Sequence, residues 1–231
     1  MLRQGRAGRR FCLAVAVAAL GAMVYAAFAL AAADPITATD NAFNAPTYTM
    51  DQGDNPPFLT NNGPLNSHNV QARQSGPDGG ALFFSATLVP GTQAPVHGTQ
   101  YLSAGTYSFF CTIHPDMQGT LVVTSNGTPQ SRPSAAPVVR TKTISKALKK
   151  GIVVAINPSS PAITLLSLVA KLGKTTIGKA KFPDAGPHSP TNTIQLSKVG
   201  KRKLRGKRKA RVTVVGHILF GGPATVKAKL K

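Results

Sequence analysis

Three side chains that bind soft metal ions lie within one short segment of this sequence. Cys111, His114 and Met117 are each separated by two residues, and a second histidine, His68, lies further upstream. One thiolate, two imidazoles and one thioether are the donors of a trigonal copper site with a weak axial ligand. Zinc usually takes four strong N, S or O donors, and a thioether is a poor one. The spacing therefore predicts one copper ion, with zinc or a lost metal as the alternatives.

The same donor set leaves no open coordination position for a substrate. A rigid trigonal site changes little between Cu(I) and Cu(II), so the reorganisation that accompanies electron transfer stays small. This favours one-electron transfer between a redox donor and a redox acceptor over catalysis, and we expect no catalytic residues. Two alternatives stay open. One is a protein that binds or delivers copper without redox turnover, and the other is a structural envelope protein that has lost its metal.

The local sequence explains how one loop presents three donors. Alternation along an extended strand places Phe109 and Cys111 on the same face, and the aromatic ring indicates that this face points inward. Pro115 then interrupts the strand, so His114 and Met117 are expected on a tight loop that folds back over the cysteine. The upstream histidine must arrive from a neighbouring strand.

Short segments of β-forming residues, divided by Gly, Pro and Asn, make up the region from residue 36 to residue 124. Several short strands at this rhythm predict an all-β sandwich or barrel. No helical periodicity of useful length is present there. The candidate strands are 36–43, 47–50, 68–72, 81–87, 105–111 and 120–124.

The segment 105–123, taken together with His68-Asn69-Val70, resembles the cupredoxins, the type 1 blue copper proteins of the plastocyanin–azurin superfamily. The resemblance covers about 34–124, and the short spacing from histidine to methionine is similar to that of amicyanin. It implies a Greek-key β-sandwich that binds one copper ion and transfers electrons. The sequence departs from the family in lacking Trp and in carrying a second region, so no particular redox partner is implied.

The resemblance also implies a role for each residue at the site. His68, Cys111, His114 and Met117 would be the metal ligands, and His114 would form the solvent-facing edge through which electrons pass. Asn69 would tie the two ligand loops together. Its backbone N–H would approach the Cys111 sulfur and tune the reduction potential.

The N-terminus has the pattern of an export signal. Residues 1–10 contain four Arg, residues 11–33 contain no charged side chain, and Ala31-Ala32-Ala33 fits a small-residue cleavage site. The apolar run predicts a helix that is either a cleaved signal peptide or a retained anchor, because it is long enough to span a bilayer. Both interpretations export the rest of the chain to the cell envelope, the periplasm or the medium.

Charge divides the remaining chain into two parts of opposite sign. Residues 34–131 contain one basic and six acidic side chains, whereas residues 132–231 contain 22 basic side chains and one acidic side chain. Because a Pro/Ser-rich linker divides the two parts and their charges differ in sign, we expect them to fold separately. The predicted segments are a signal peptide or signal anchor at 1–33, a copper-binding domain at 34–124, a Pro/Ser-rich linker at 125–139 and a basic β-rich domain at 140–231.

The basic C-terminal domain weakly resembles immunoglobulin- or fibronectin-like modules, which implies a second small β-sandwich. Nine Lys and Arg residues lie between Lys198 and Arg211, and no aromatic residues interleave with them. Together with export, this argues against a nucleic-acid partner. The charge indicates attraction to an anionic envelope polymer, a membrane surface or an acidic protein, or else a solvated charged face. The candidate strands are 152–156, 162–170, 191–196, 210–219 and 224–230.

Overall fold

The computed structural model describes residues 33–158, 163–182 and 191–231, and their regular secondary structure is mainly β-strand. The β class predicted from the sequence is confirmed. The predicted N-terminal apolar helix lies outside the described residues. Within the described ranges, no helix is long and apolar enough to cross a membrane.

The N-terminal region contains β1 (Ile36–Thr39), β2 (Ala42–Phe43), β3 (Thr47–Gln52), β4 (Phe58–Asn61), β5 (Gln71–Ala72), β6 (Gln93–Pro95), β7 (Gly105–Phe110) and β8 (Gln118–Gly127). These strands form two four-stranded sheets in the order β2-β1-β4-β6 and β3-β8-β7-β5. Each sheet contains one parallel pair, β1 with β4 and β3 with β8. The other pairings are antiparallel.

The two N-terminal sheets enclose one core. Every second residue of β3 points inward, so that Tyr48 and Met50 are buried. Ile36 and Leu59 from the first sheet belong to the same buried cluster as Tyr48 and Leu121 from the second. Removing this apolar surface from water is worth about 25 cal/mol per Å². The region is therefore a two-layered β-sandwich.

Some strand predictions in this region differ from the structure. The predicted strand 36–43 is split into β1 and β2 by a turn in which Asn41 adopts a left-handed φ of 68°, a conformation that Asn tolerates. The predicted strand 81–87 forms isolated bridges, because the Ser85 hydroxyl accepts the Val70 N–H that a regular ladder would pair with a carbonyl. β4 and β6 were not predicted, since both are short and lie next to or contain Pro.

The C-terminal region contains β9 (Ala135–Val139), α1 (Ile144–Lys150), β10 (Ile152–Pro158), β11 (Leu165–Leu172), β12 (Thr175–Lys181), β13 (Thr191–Ile194), α2 (Lys198–Leu204), β14 (Ala210–Ile218) and β15 (Ala224–Leu230). Its sheets have the order β13-β10-β9 and β12-β11-β14-β15. Ile152 and Ile194 from the first sheet share a buried cluster with Leu168, Ile177 and Val214 from the second. This region therefore has a core of its own.

Neither helix of the C-terminal region was predicted, and β12 was also missed. Each helix has seven residues, too few for helical periodicity to stand out in the sequence. Both begin at a side-chain cap, since the Thr143 hydroxyl accepts the Lys146 N–H and the Ser197 hydroxyl accepts the Gly200 N–H. The run of nine basic residues thus covers α2, a turn and the start of β14.

The connection between the two regions is shorter than the predicted linker 125–139. β8 extends to Gly127 and β9 begins at Ala135, which leaves 128–134 between the strands. Pro137 is compatible with β9 because this strand lies at the edge of its sheet, where an N–H need not be donated.

Phe220, in the turn between β14 and β15, brings the two regions into direct contact. Its side chain is 6% exposed, and its ring centroid lies 5.3 Å from that of Phe84 and 6.1 Å from that of Tyr101. Its carbonyl accepts a hydrogen bond of 3.0 Å from Arg132, and the same guanidinium donates to the Tyr101 carbonyl at 3.3 Å. The regions are therefore joined by packing as well as by the chain.

Candidate metal centre

Two chain segments bring the predicted ligands together. Cys111 directly follows β7, whereas His68 lies just before β5 and exchanges two backbone hydrogen bonds of 3.0 and 2.8 Å with Leu88. β5 runs antiparallel to β7, with Gln71 opposite Phe110. The residues that precede β5 therefore lie beside those that follow β7.

The loop from Cys111 to Met117 is closed by its own backbone. The Cys111 N–H donates to the Met117 carbonyl at 3.0 Å, and the Met117 N–H donates to the His114 carbonyl at 2.9 Å. Pro115 has no N–H with which to continue β7. The chain thus turns back within this loop and enters β8 at Gln118.

The donor atoms of His68, Cys111 and His114 all lie within 4.8 Å of one another. Cys111 Sγ is 4.0 Å from His68 Nδ1 and 3.9 Å from His114 Nδ1. With metal–donor bonds of about 2.0–2.3 Å, donors arranged around a single ion lie up to about 4 Å apart. This cluster could therefore hold one copper ion.

Burial distinguishes the two histidines. His68 and Cys111 are fully buried, whereas His114 is half-buried. Burial lowers the pKa of His68, the nearby His114 adds to that effect, and Asp40 opposes it. A lowered pKa keeps the imidazole neutral, which is the form that binds a metal ion. The partly exposed ring of His114 places one edge of the cluster at the surface.

One nitrogen of His68 has no hydrogen-bond partner. Its Nδ1 faces the Cys111 sulfur, and its buried Nε2 has no partner among the residues that the structure describes. If the proton of the neutral ring is on Nε2, leaving this donor unpaired costs about 1–3 kcal/mol. The orientation of the ring is therefore set by packing and by the backbone pairing of His68 with Leu88.

Asn69 connects the two ligand segments. Its side-chain oxygen accepts the Thr112 N–H at 2.8 Å, and its side-chain NH₂ donates to the hydroxyl groups of Thr112 at 2.7 Å and Thr87 at 3.3 Å. Its backbone N–H donates to Cys111 Sγ at 3.5 Å. Both contacts expected of Asn69 are present. Thr112 was not predicted from the sequence, in which its position directly after the cysteine is its only signal.

Met117 is buried in the same core cluster as Cys111. The predicted axial ligand and the thiolate therefore share one apolar interior.

Two other histidines lie outside the donor cluster: His97 is exposed and His217 is half-buried on β14. Neither was predicted to bind metal, and His188 falls outside the described residues.

No family model and no curated protein matches this chain. Solved structures of amicyanin do match it. A reduced amicyanin mutant is 25% identical over 40% of this chain and 83% of its own length, with a TM-score of 0.34. A Cu(I) form of a second mutant is 24% identical over 38% and 81%, with a TM-score of 0.32, and an oxidised mutant is 26% identical over 39% and 81%, with a TM-score of 0.33. The structural neighbours of this chain are therefore cupredoxins.

Proposed function

We propose that the N-terminal region is a mononuclear type 1 copper centre that carries single electrons between redox partners. Its ligands in this proposal are His68, Cys111, His114 and Met117. The observation that carries it is the separation of the two imidazole nitrogens from Cys111 Sγ, 4.0 and 3.9 Å. A thiolate, two imidazoles and a weak thioether suit copper that cycles between Cu(II) and Cu(I).

The surroundings of the donors support electron transfer over catalysis. His68 and Cys111 are fully buried, so water and substrates are excluded from that side of the cluster. Asn69 holds the two ligand segments together through its hydrogen bonds to Thr112. Donors held in this way move little when the charge at their centre changes, which keeps the reorganisation small.

His114 is the proposed exit for electrons, because its ring is partly exposed while the other imidazole is buried. Ile113, its neighbour in the chain, is 45% exposed, and Leu65, in the segment that leads to His68, is 79% exposed. We assign these apolar side chains to a docking surface for a redox protein. Apolar contact of this kind buries the imidazole edge without requiring a fixed network of charges.

Export of the chain is part of the same proposal. The Arg-rich start and the uncharged run at 11–33 support it. Cys111 is buried and has no disulfide partner among the described residues, so its thiol is protected in an oxidising compartment. A copper ion bound to the thiolate would protect it further.

The test is to load the protein with copper and to measure metal content, visible absorption and voltammetry. We expect one copper per chain, an intense thiolate-to-Cu(II) band and a reversible one-electron couple. Copper binding without a reversible couple would support a copper-delivery protein instead. Zinc in place of copper, or no metal at all, would overturn the proposal. Cys111→Ser is the matched control and should lose the visible band, since the band arises from the thiolate.

A further inference from the structure

The sheet β12-β11-β14-β15 buries one face and exposes the other. Alternate residues of β14 show this most clearly: Val212 and Val214 are buried, while Arg211 is exposed and Thr213 and Val215 are half-buried. The buried face belongs to the C-terminal core. The other face carries exposed side chains at Lys179, Lys181, Arg211, Lys227 and Lys229.

Six basic side chains lie on this outer face, here called the basic sheet face. The strand registers place Lys179 opposite Val169, Lys181 opposite Ser167, Lys171 opposite Thr213, and Thr213 opposite Lys227. They also place Arg211 opposite Lys229. The basic members of the face are Lys171, Lys179, Lys181, Arg211, Lys227 and Lys229.

These charges repel one another without compensation. Arg211 and Lys229 are directly opposite on neighbouring strands, an arrangement that destabilises a sheet when the charges are alike. Lys171 and Lys227 flank Thr213 from either side. The described residues from 135 onward include no Asp or Glu, so no acidic side chain there relieves the repulsion. An anionic partner on this face would remove the repulsion and gain attraction.

The centre of the basic sheet face is apolar. Val169 and Val215 are paired across β11 and β14, and both are half-buried. Thr225, Ser167 and His217 lie next to them in the registers. Cations border this apolar centre on β12 and at the Arg211 end of the face. An apolar patch bordered by cations is typical of a surface that lies in a lipid interface, where cations meet headgroups and apolar groups meet the acyl boundary. A soluble polyanion would gain nothing from the paired valines.

We propose that the basic sheet face binds the surface of an anionic phospholipid bilayer. The face is a sheet surface rather than a groove, and a bilayer offers a broad anionic plane whose lipids can move to match fixed cations. This inference is independent of the copper centre, because none of its residues lies in the N-terminal region. It also differs from attributing membrane attraction to the nine basic residues between Lys198 and Arg211, of which only Arg211 lies on this face.

The test measures partitioning of the chain that begins at Asp34, as signal cleavage would leave it, onto vesicles of phosphatidylglycerol and phosphatidylcholine in equal parts. Three substitutions on the face, Lys171→Gln, Lys227→Gln and Lys229→Gln, are combined in one variant. We expect the partition coefficient to fall roughly a hundredfold at low salt, as for the loss of three cations from a membrane contact. The contribution of these three lysines to vesicle binding should decrease as the salt concentration rises, because salt screens the attraction between cations and anionic lipids.

The matched control removes the same charge elsewhere, by combining Lys201→Gln, Lys203→Gln and Lys207→Gln in and after α2. These side chains are exposed and lie outside the face. We expect a much smaller loss than for the face variant. Equal losses would overturn the proposal, because they would show that net charge rather than this face governs binding. Equal binding of the unmodified chain to pure phosphatidylcholine vesicles would also overturn it.

A second variant tests the lipid against a soluble polyanion. Val169→Thr combined with Val215→Thr keeps β-branched residues of similar shape in both strands. Circular dichroism and the melting temperature, compared with those of the unmodified chain, show whether the variant is still folded. We expect weaker vesicle binding and unchanged binding to inorganic polyphosphate. Unchanged vesicle binding, or polyphosphate binding as tight as that to vesicles, would identify a soluble polyanion as the partner and reject the bilayer.

Discussion

The main-chain N–H of Phe220 donates a hydrogen bond of 2.8 Å to Oδ2 of Asp78, 142 positions earlier in the chain. Phe220 has a left-handed φ of 58°, which is unfavourable for a bulky residue unless its surroundings hold it. The neighbouring Gly98 leaves room for the ring, since a Cβ there would lie 2.7 Å from it. The C-terminal turn is therefore seated in a recess of the N-terminal region, which sets how the two regions pack together.

Truncating this ring should uncouple the two regions. Phe220→Ala is expected to cost about 3 kcal/mol, as for other buried Phe side chains, and to make the two cores unfold in separate calorimetric transitions. Cleavage by protease within 128–134 should also become faster. The copper spectrum should stay the same, because the ring contacts Phe84 and Tyr101 rather than the ligand loop.

The control for this prediction is Val199→Ala, which shortens a half-exposed apolar side chain on α2. It should change neither the number of transitions nor the protease pattern. A Phe220→Ala protein that unfolds exactly as the unmodified one would show that the contact contributes no coupling.

Replacing the predicted axial ligand should change the reduction potential without releasing copper. Met117→Leu removes the thioether, a donor that stabilises Cu(II). The leucine that replaces it is apolar and offers no donor atom to the metal. We expect the reduction potential to rise by about 59 mV or more, which corresponds to a tenfold shift of a one-electron equilibrium. Voltammetry measures the shift.

Met50→Leu is the matched control for Met117→Leu, because Met50 is equally buried in the same core but lies on β3. Its potential should not change. If both variants shifted the potential alike, or if neither did, Met117 would not be an axial ligand.

Removing the amide of Asn69 should loosen the copper centre. Asn69→Ala loses the hydrogen bonds to Thr112 and Thr87, which hold the two ligand segments together. Copper affinity is expected to fall about 10–100-fold, the usual effect of deleting a side chain that orients metal ligands. Asn66→Ala removes an exposed amide from the same stretch, where its partner is Asn41, and should leave the affinity unchanged. Competition with a copper chelator gives both values, and equal affinities for the two variants would contradict the role of Asn69.

A charge placed beside His114 should impair contact with a redox partner. Ile113→Lys or Leu65→Lys should slow electron exchange with a redox protein while the visible spectrum stays intact, because each adds a cation to an apolar surface. Val199→Lys adds the same charge to an exposed apolar position of α2 and should have little effect. Stopped-flow kinetics measure the rates. Unchanged rates for the first two variants would place the electron exit elsewhere.

Gly119 must lack a side chain so that the ring of Phe109, two residues before Cys111, can pack against it. Gly119 lies opposite Phe109 on the neighbouring strand, and a Cβ there would lie 2.4 Å from the Phe109 ring. Gly119→Ala should therefore destabilise the region by about 1–3 kcal/mol through overpacking. Gly222→Ala is the control, because a Cβ at Gly222 would meet no atom within 4 Å. Denaturant unfolding gives both free energies, and a neutral Gly119→Ala would show that the ring can move aside without cost.

The ligand loop could be predicted from the sequence because its conformation depends on residues that are neighbours in the chain. A strand with inward Phe109 ends just before Cys111, and Pro115 forces a turn, so the positions of His114 and Met117 follow from neighbouring residues alone. Alternation similarly predicted β3, β7 and β14 to within a few residues. The helices and the short strands β4 and β6 were missed because a few residues carry too little periodic signal to compete with the turn residues around them.

By itself, then, the sequence determined the donor types, the loop that presents three of them and the opposite charges of the two regions. Only the tertiary structure decided how residues far apart in the chain meet. His68 approaches Cys111 because β5 takes a particular register on β7. The basic sheet face exists because the pairings of β11 with β12, β11 with β14 and β14 with β15 align its cations. Phe220 meets Asp78 through packing. Register and packing depend on the shape of a whole core, and that shape is not encoded in any one segment.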